Sequence, residues 1–202
     1  MRLLLATTNP NKVREIRPVL ADADVELLTL ADVPPVSEPE ETGVTFWENA
    51  RQKALVYTRA TGLVCVAEDS GLVIDALGGE PGVRSARFLG DAVSYAERFA
   101  EIYRRLAGVA GGPDTARFVT ALAVADGETI VFETETRIEG VVAPAPSGTR
   151  GFGYDPIFLY QPLGRTTGEM TDEEKGAVSH RARAFRDLRR ALFADRVAIL
   201  GG

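Results

Sequence analysis

The sequence predicts an α/β protein built on a mixed β-sheet. Helix-like and strand-like patterns alternate at both ends of the chain, whereas its middle holds two long strand-like runs, residues 115–125 and 128–142. These runs meet at Asp126 and Gly127, a dipeptide typical of a hairpin turn. Alternation favours parallel strands joined by helices, and the hairpin adds an antiparallel pair, so the sheet should be mixed.

The first element is a strand that leads through a polar turn into a helix. Residues 3–5 are all leucine, a short apolar run of the buried-strand type. Asn9 is a good N-cap, and Pro10 suits the first helical position. Free N–H groups at a helix N-terminus favour an anion. Lys12 opposes the helix dipole there unless a phosphate is bound, although an ordinary turn with a surface lysine would fit the same sequence.

The later elements follow from the same kinds of pattern. A capping box of Thr45 and Glu48 predicts the start of a helix, and Gly62 predicts its end. The predicted elements are a strand at 25–30, a loop at 31–43, a helix at 45–61, a strand at 63–67 that ends in an acidic turn at 68–71, a glycine-rich loop at 78–82, an amphipathic helix at 92–106, the hairpin, a loop at 144–151, a strand at 157–160 and a helix at 179–193.

Composition narrows the class of protein. The chain has 202 residues, 45% of them hydrophobic, so we expect residues 1–202 to form a single domain with a sizeable core. A net charge of −6 argues against a nucleic-acid partner held through phosphate contacts. Cys65, the single cysteine, excludes an intrachain disulfide and is expected to be a buried thiol. Neither a signal peptide nor a membrane-spanning run is apparent, so we expect a cytoplasmic protein without membrane contact.

Two acidic pairs and a lysine could form a metal and phosphate site. Glu68 and Asp69 end a predicted strand, at the edge where open α/β sheets bind ligands, and the pair Glu40 and Glu41 lies in the predicted loop at 31–43. One carboxylate could hold Mg2+, and another could take a proton from an attacking water. Lys53 shares a helix face with Asn49 and could reach a phosphate. A solvated acidic turn and a solvated lysine would explain the same residues.

Two later motifs could recognise a base. Gly153 lies between Phe152 and Tyr154, where glycine allows close backbone approach and an exposed ring offers a stacking platform. A sharp turn with core aromatics is the alternative. His180 and Arg181 begin the last helix and supply donors suited to the carbonyl oxygens of a base. The sequence lacks the patterns of zinc sites, P-loops and serine-hydrolase elbows.

Taken together and in order, six segments resemble the signature blocks of the inosine/xanthosine triphosphate pyrophosphatases. These segments are residues 7–12, 40–46, 68–72, 78–87, 151–158 and 179–182, and they extend over nearly the whole chain. The resemblance implies hydrolysis of the deaminated purine nucleotides ITP, dITP and XTP to the monophosphate and pyrophosphate, with Mg2+, in a homodimer. It also implies an elongated mixed sheet with flanking helices, in two lobes around a central cleft.

The resemblance also implies a role for each matching residue. Asp69 would be the general base and a metal ligand, with Glu40 helping to hold Mg2+. Glu68 stands where many members have aspartate. The residues implied to bind substrate are Thr7, Thr8, Asn9, Pro10, Asn11, Lys12 and Lys53 at the phosphates, Ser70 beside the substrate, and Phe152, Gly153, Tyr154, Asp155, Lys175, His180 and Arg181 at the base.

Other functions compete with this interpretation. A related pyrophosphatase for modified pyrimidine or methylated nucleotides would share the opening turn and the metal site, but the blocks at 152–155 and 179–181 argue against it. A nucleotide-binding sensor without turnover would not need both Asp69 and Lys53. A nucleic-acid-binding role is disfavoured by the acidic charge.

Overall fold

A computed structural model of the chain describes residues 1–21, 23, 25–109 and 114–194. In this part of the chain, the strands are β1 (Arg2–Leu5), β2 (Glu26–Thr29), β3 (Val64–Ile74), β4 (Thr115–Asp126), β5 (Thr129–Val142), β6 (Phe158–Tyr160) and β7 (Arg165–Thr166). They form one sheet in the order β2-β1-β3-β4-β5-β6-β7. Strand β1 is parallel to β2 and β3, whereas β6 is antiparallel to β5 and β7. The predicted mixed sheet is therefore confirmed.

Helices accompany the strands, and their ends follow local sequence signals. They are α1 (Pro10–Leu20), α2 (Phe46–Thr61), α3 (Tyr95–Ala107), α4 (Asp172–Val178) and α5 (His180–Ala194). The Asn9 side chain accepts a hydrogen bond from the Asn11 N–H at 2.9 Å, which confirms the predicted N-cap of α1. Gly62 ends α2 in the left-handed conformation at a φ of 67°. No helix in the described segments is long and apolar enough to cross a membrane.

The starts of two helices differ from the prediction. Helix α3 begins at Tyr95 rather than near residue 92, because Ser94 and Glu97 form a complete capping box. Helix α4 was not predicted, although Thr171 and Glu174 form the same box at its N-terminus. In both places the signal was present in the sequence, and the hydrophobic pattern alone did not locate the helix start.

The chain divides into two compact units. Unit 1 is drawn from Met1–Asp69, Thr120–Thr136 and the segment that begins at His180; unit 2 is drawn from Ser70–Val119 and Arg137–Ser179. Strands β3, β4 and β5 each contribute residues to both units. The prediction of a single domain over residues 1–202 stays a prediction.

Each unit has its own hydrophobic core. In unit 1, alternate residues of β1 enter two clusters: Leu4 packs in a cluster with Tyr57 of α2, whereas Leu5 packs in another with Ile16 of α1 and Phe185 of α5. Helices therefore cover both faces of the sheet in unit 1, as buried parallel strands require. The core of unit 2 is one cluster that includes residues of β3, α3, β4, β5 and β6.

Strand β3 is longer than predicted. The acidic residues Glu68 and Asp69 do not end it, and the expectation of an acidic turn at 68–71 is wrong. Apolar burial resumes beyond the acids, since Leu72 and Ile74 are both buried in the core of unit 2. Because side chains alternate along a strand, Glu68 and Asp69 lie on opposite faces of the sheet.

Cys65 confirms the predicted buried thiol and gives a first test of the core. Its side chain is fully buried in the cluster under α2, and burial raises the pKa of the thiol from 9.0 to about 12. Because only the thiolate reacts, the native protein should react with a disulfide reagent about 10³-fold more slowly than the urea-unfolded chain. Absorbance of the released thiol measures both rates. Native and unfolded rates within about tenfold of each other would contradict this burial.

Candidate active site

One face of β3 presents Asp69 to helix α2. Asp69 is 5% exposed, and the Asn49 Nδ2 donates a hydrogen bond to its Oδ2 at 2.9 Å. The Lys53 Nζ lies 3.7 Å from Oδ1 of Asp69 and donates to Oε1 of Glu41 at 2.6 Å. Asn49 and Lys53 are one turn apart on α2 and so face the same strand. The helix thereby places an amide at one oxygen of Asp69 and a cation near the other.

Burial and charge set the electrostatics of this cluster. Burial raises the pKa of Asp69 and the charge of Glu41 adds to the rise, which the opposing effects of Lys53 and Asn49 do not cancel. Burial would lower the pKa of Lys53, but the nearby carboxylates outweigh it and hold that pKa above its usual value. Asp69 is thus a carboxylate of increased basicity beside a charged lysine, which suits it to accept a proton.

The opposite face of β3 presents Glu68 to helices α1 and α5. Its side chain is completely buried, and Oε1 accepts from the Lys12 Nζ at 2.7 Å and from the Arg181 Nε at 3.3 Å. The Arg181 Nη1 donates to Oε2 of Glu15 at 2.6 Å. Burial alone would raise the pKa of Glu68, but the charges of Arg181, Lys12 and Lys53 outweigh it and hold the pKa well below its usual range.

The predicted phosphate turn leads into this second cluster. The Thr7 Oγ1 accepts from the Asn9 N–H at 3.2 Å, which gives the turn an ordered conformation before α1. Thr8 is exposed, and its hydroxyl donates to Glu38 at 3.5 Å. Lys12, in the first turn of α1, forms an ion pair with Glu68. Lys12 and Lys53, the two predicted phosphate-binding lysines, therefore pair with different carboxylates: Lys12 with Glu68, and Lys53 with Glu41 and Asp69.

The loop before α2 brings a different glutamate to the site from the one predicted. Glu40 is exposed, whereas its neighbour Glu41 reaches Lys53. Two adjacent glutamates in a loop look alike in sequence, so local pattern could not separate them. Glu40 as a metal ligand stays a prediction, and Glu41 is a site residue that sequence reasoning missed.

The predicted base-binding turn lies in unit 2 and is held by Asp155. Its Oδ2 accepts from the Phe152 N–H at 2.7 Å and from the Lys175 Nζ at 2.5 Å, and its Oδ1 accepts from the Thr167 hydroxyl at 2.8 Å. A Cβ at Gly151 would lie 2.0 Å from Oδ2, so the turn needs glycine there. Asp155 and Lys175 thus brace the turn, and the partly exposed Phe152 presents a ring, with Lys175 5.2 Å from its centre.

Tyr154 faces inward and connects the turn to another signature block. It is 3% exposed, and its hydroxyl donates to the Ser85 carbonyl at 2.9 Å. Arg98 of α3 is also buried; it donates to the carbonyl of Ala86 at 2.6 Å and to that of Gly90 at 3.0 Å. The block at 78–87 therefore supports the turn, and Arg98 is a supporting residue that the sequence analysis did not identify.

The remaining predicted residues are divided between the units. Ser70 directly follows Asp69 in β3 and is partly exposed. Ser179 ends α4, and its N–H donates to the Lys175 carbonyl at 2.8 Å. His180 is 5% exposed, and its carbonyl accepts from the Thr136 hydroxyl at 2.6 Å. Arg181 lies among carboxylates of unit 1.

A mixed α/β sheet in which one strand carries buried carboxylates paired with cations on both faces defines an α/β protein with a charged site suited to an anionic ligand. The chain belongs to the Ham1 family, whose profile matches residues 3–191. This confirms the resemblance found in the sequence.

Individual relatives support the same assignment. The chain is 50% identical to a dITP/XTP pyrophosphatase of Symbiobacterium thermophilum over 187 residues. The matched region covers 91% of this chain and 91% of the relative. It is 47% identical over 190 residues to a dITP/XTP pyrophosphatase of Thermus thermophilus, covering 93% of this chain and 90% of the relative. The solved structure of a HAM1 protein from Coxiella burnetii superposes with a TM-score of 0.88 at 35% identity, covering 96% of this chain and 99% of that one.

Replacing Arg181 tests the cluster around Glu68. Arg181→Ala should lower the free energy of unfolding at neutral pH by about 3–5 kcal/mol, because it leaves Glu68 and Glu15 without the cation between them. Urea unfolding measures the loss. The exposed Arg190, paired with Asp187 on the same helix, is the matched control, and its replacement by alanine should cost much less.

The pH dependence of this loss follows from the carboxylate. The folded state holds the pKa of Glu68 below its unfolded value, so the stabilisation is present above about pH 4.3 and declines as the pH falls further. The difference in the free energy of unfolding between wild type and Arg181→Ala should therefore become smaller below about pH 4.3. A loss at neutral pH no larger than that of the Arg190 control would contradict the assignment.

Proposed function

We propose that this protein hydrolyses the deaminated purine nucleotides ITP, dITP and XTP to the monophosphate and pyrophosphate, and so removes them from the nucleotide pool. The observation that carries the proposal is the buried Asp69, held by Asn49 and placed beside Lys53, in a chain of the Ham1 family. Relatives that bear the name dITP/XTP pyrophosphatase support the choice of substrate.

The proposed reaction breaks the bond between the α- and β-phosphates. A water attacks phosphorus, its proton passes to the carboxylate of Asp69, and pyrophosphate leaves. Such chemistry depends on positioning and charge neutralisation more than on a covalent nucleophile. Lys12 and Lys53 supply cations that could neutralise the triphosphate, which would draw Lys12 from Glu68.

We propose Mg2+ as the cofactor, held by Asp69 together with the predicted Glu40 or its neighbour Glu41, which already reaches Lys53. Within the described segments, no three His, Cys, Asp or Glu side chains are gathered as a metal site. Mg2+ nevertheless fits, because it commonly takes only one or two carboxylates and fills its other positions with water and phosphate oxygens. The ammonium of Lys53 already interacts with Asp69 and Glu41, so their charges can share one cation. Bound Mg2+ would neutralise charge on the triphosphate.

Base selection is proposed to depend on the oxygen at C6. Hypoxanthine and xanthine carry an oxygen where adenine has an amino group, so hydrogen-bond donors at that position favour the former. Phe152 offers a surface for stacking, and Lys175, His180 and Arg181 are the proposed donors. Arg181 already pairs with Glu68 and Glu15, so it could reach the base only by exchanging one of these partners. The homodimer, which the resemblance implies, and the cytoplasmic location, which the sequence composition and pattern led us to expect, stay proposals.

A substrate panel tests the proposed function directly. Pyrophosphate release would be measured from ITP, XTP, GTP, ATP and dUTP, each with Mg2+ or with EDTA. We expect release from ITP and XTP with Mg2+, a kcat/KM for ATP lower by up to about 10⁴–10⁵-fold, and loss of activity in EDTA. Preference for dUTP would favour a pyrimidine-directed pyrophosphatase, and binding of ITP without release would favour a sensor.

Replacing Asp69 tests the proposed proton acceptor. Asp69→Asn keeps the size of the side chain but removes its charge, so kcat should fall by at least about 10²-fold while the protein stays folded. Steady-state kinetics with ITP and circular dichroism measure the two properties. Asp126→Asn, at the exposed hairpin turn, is the matched control because an Asn-Gly pair suits the same turn. Activity of Asp69→Asn within a few-fold of wild type would remove Asp69 from the mechanism.

A further inference from the structure

We propose that Asn49 is a positioning residue that fixes which oxygen of Asp69 is available for the reaction and holds the loop that carries Glu41. The inference rests on the proposed function, because it assigns Asn49 a task through Asp69. Asn49 lies on α2 and is fully buried, although it is polar. A buried amide is retained only where its groups are satisfied, which makes its partners informative.

Both ends of the Asn49 side chain are used. Its Nδ2 donates to Oδ2 of Asp69 at 2.9 Å, and its Oδ1 accepts from the Gly43 N–H at 2.8 Å. The ionised Asp69 carboxylate can only accept a hydrogen bond, and the Gly43 N–H can only donate one. Among side chains of this size, an amide alone provides a donor and an acceptor on opposite arms of a rigid plane. A carboxylate at this position would repel Asp69, and leucine would satisfy neither partner.

The contact with Gly43 requires close approach of the loop. A Cβ at Gly43 would lie 2.5 Å from Oδ1 of Asn49 and 2.7 Å from the Glu48 Cβ, distances that no real Cβ tolerates. The neighbouring Val44 N–H donates to the Glu48 carboxylate at 2.7 Å, which ties the same loop to the start of α2. Glu41, two residues before Gly43, then reaches Lys53. Asn49 thus orders the segment from which this glutamate comes.

The amide also makes the two oxygens of Asp69 unequal. Oδ2 is engaged by Asn49, whereas Oδ1 is the oxygen near Lys53, at 3.7 Å. Holding the carboxylate plane in this way leaves Oδ1 to receive a proton close to a cation that binds phosphate. Without the amide, the carboxylate would be free to rotate, and proximity between the proton acceptor and the reacting water would be lost.

Asn49→Leu and Gly43→Ala test the inference from the two sides of the contact. Asn49→Leu removes both hydrogen bonds with a side chain of similar branched shape, and Gly43→Ala displaces the amide by steric contact. Each variant should lower kcat for ITP by about 10–100-fold and leave KM within about threefold, the effect of losing a residue that orients a reacting group. The double variant should lose little more than the worse single variant, because both changes break one arrangement.

Thr58→Val is the matched control for a merely structural role. Thr58 is buried on the same helix, where its hydroxyl donates to the Leu63 carbonyl at 2.6 Å and accepts from the Gly127 N–H at 3.3 Å. This variant should lower the Tm yet leave kcat unchanged. Loss of kcat in Thr58→Val equal to that in Asn49→Leu, a rise in KM alone, or full retention of kcat in Asn49→Leu would each overturn the inference.

A measurement without turnover separates this inference from the proposed function. If Asn49 holds Asp69, the Tm shift of the double variant Asn49→Leu/Asp69→Ala should be smaller than the sum of the two single shifts, because either change alone removes their hydrogen bond. Additive shifts would overturn the inference whatever the activity. A wild-type protein that hydrolyses no triphosphate would instead reject the proposed function, and the Tm comparison would then decide the role of Asn49.

Discussion

The alternation of side chains along β3 is the constraint on which the site in unit 1 depends. Glu68 and Asp69 are consecutive, so an extended backbone sends them to opposite faces of the sheet, and each must find its counter-charges there. Helix α2 supplies Lys53 on one face. Helices α1 and α5 supply Lys12 and Arg181 on the other. The helices that cover the sheet therefore supply counter-charges to β3 as well as apolar packing.

Burying these charges costs free energy of hydration, and the structure shows which partners offset that loss. An ion transferred from water into a protein interior loses several kcal/mol of hydration, which only close partners restore. Lys53, Glu68 and Arg181 each have a carboxylate or a cation within hydrogen-bond distance. Asn49 completes the shell of Asp69 with a neutral group, which leaves the aspartate more basic than it would be beside cations alone.

Local signals in the sequence located most of the elements, but they did not give helix α4, the full length of β3 or the pairings between distant residues. The N-cap Asn9, the stop at Gly62 and the hairpin at residues 126–127 lie within a few residues of the structure they determine. Glu68 and Asp69 looked like a turn because the charges that make them tolerable in a strand are distant in sequence. Arg181 is 113 residues from Glu68, and no local pattern near either residue indicates that the two side chains pair.

The same reasoning explains the predicted base turn. The Phe-Gly-Tyr-Asp segment fitted either an exposed stacking ring or a sharp turn with core aromatics. In the structure Tyr154 and Asp155 are buried against partners at Ser85, Thr167 and Lys175, whereas Phe152 stays partly exposed. The pairing of Arg181 with Glu68 also bears on synthesis of the chain. Strand β3 leaves the ribosome long before α5, so a nascent chain must hold Glu68 without its arginine until α5 emerges. The cluster around Glu68 is therefore completed only after α5 has been synthesised.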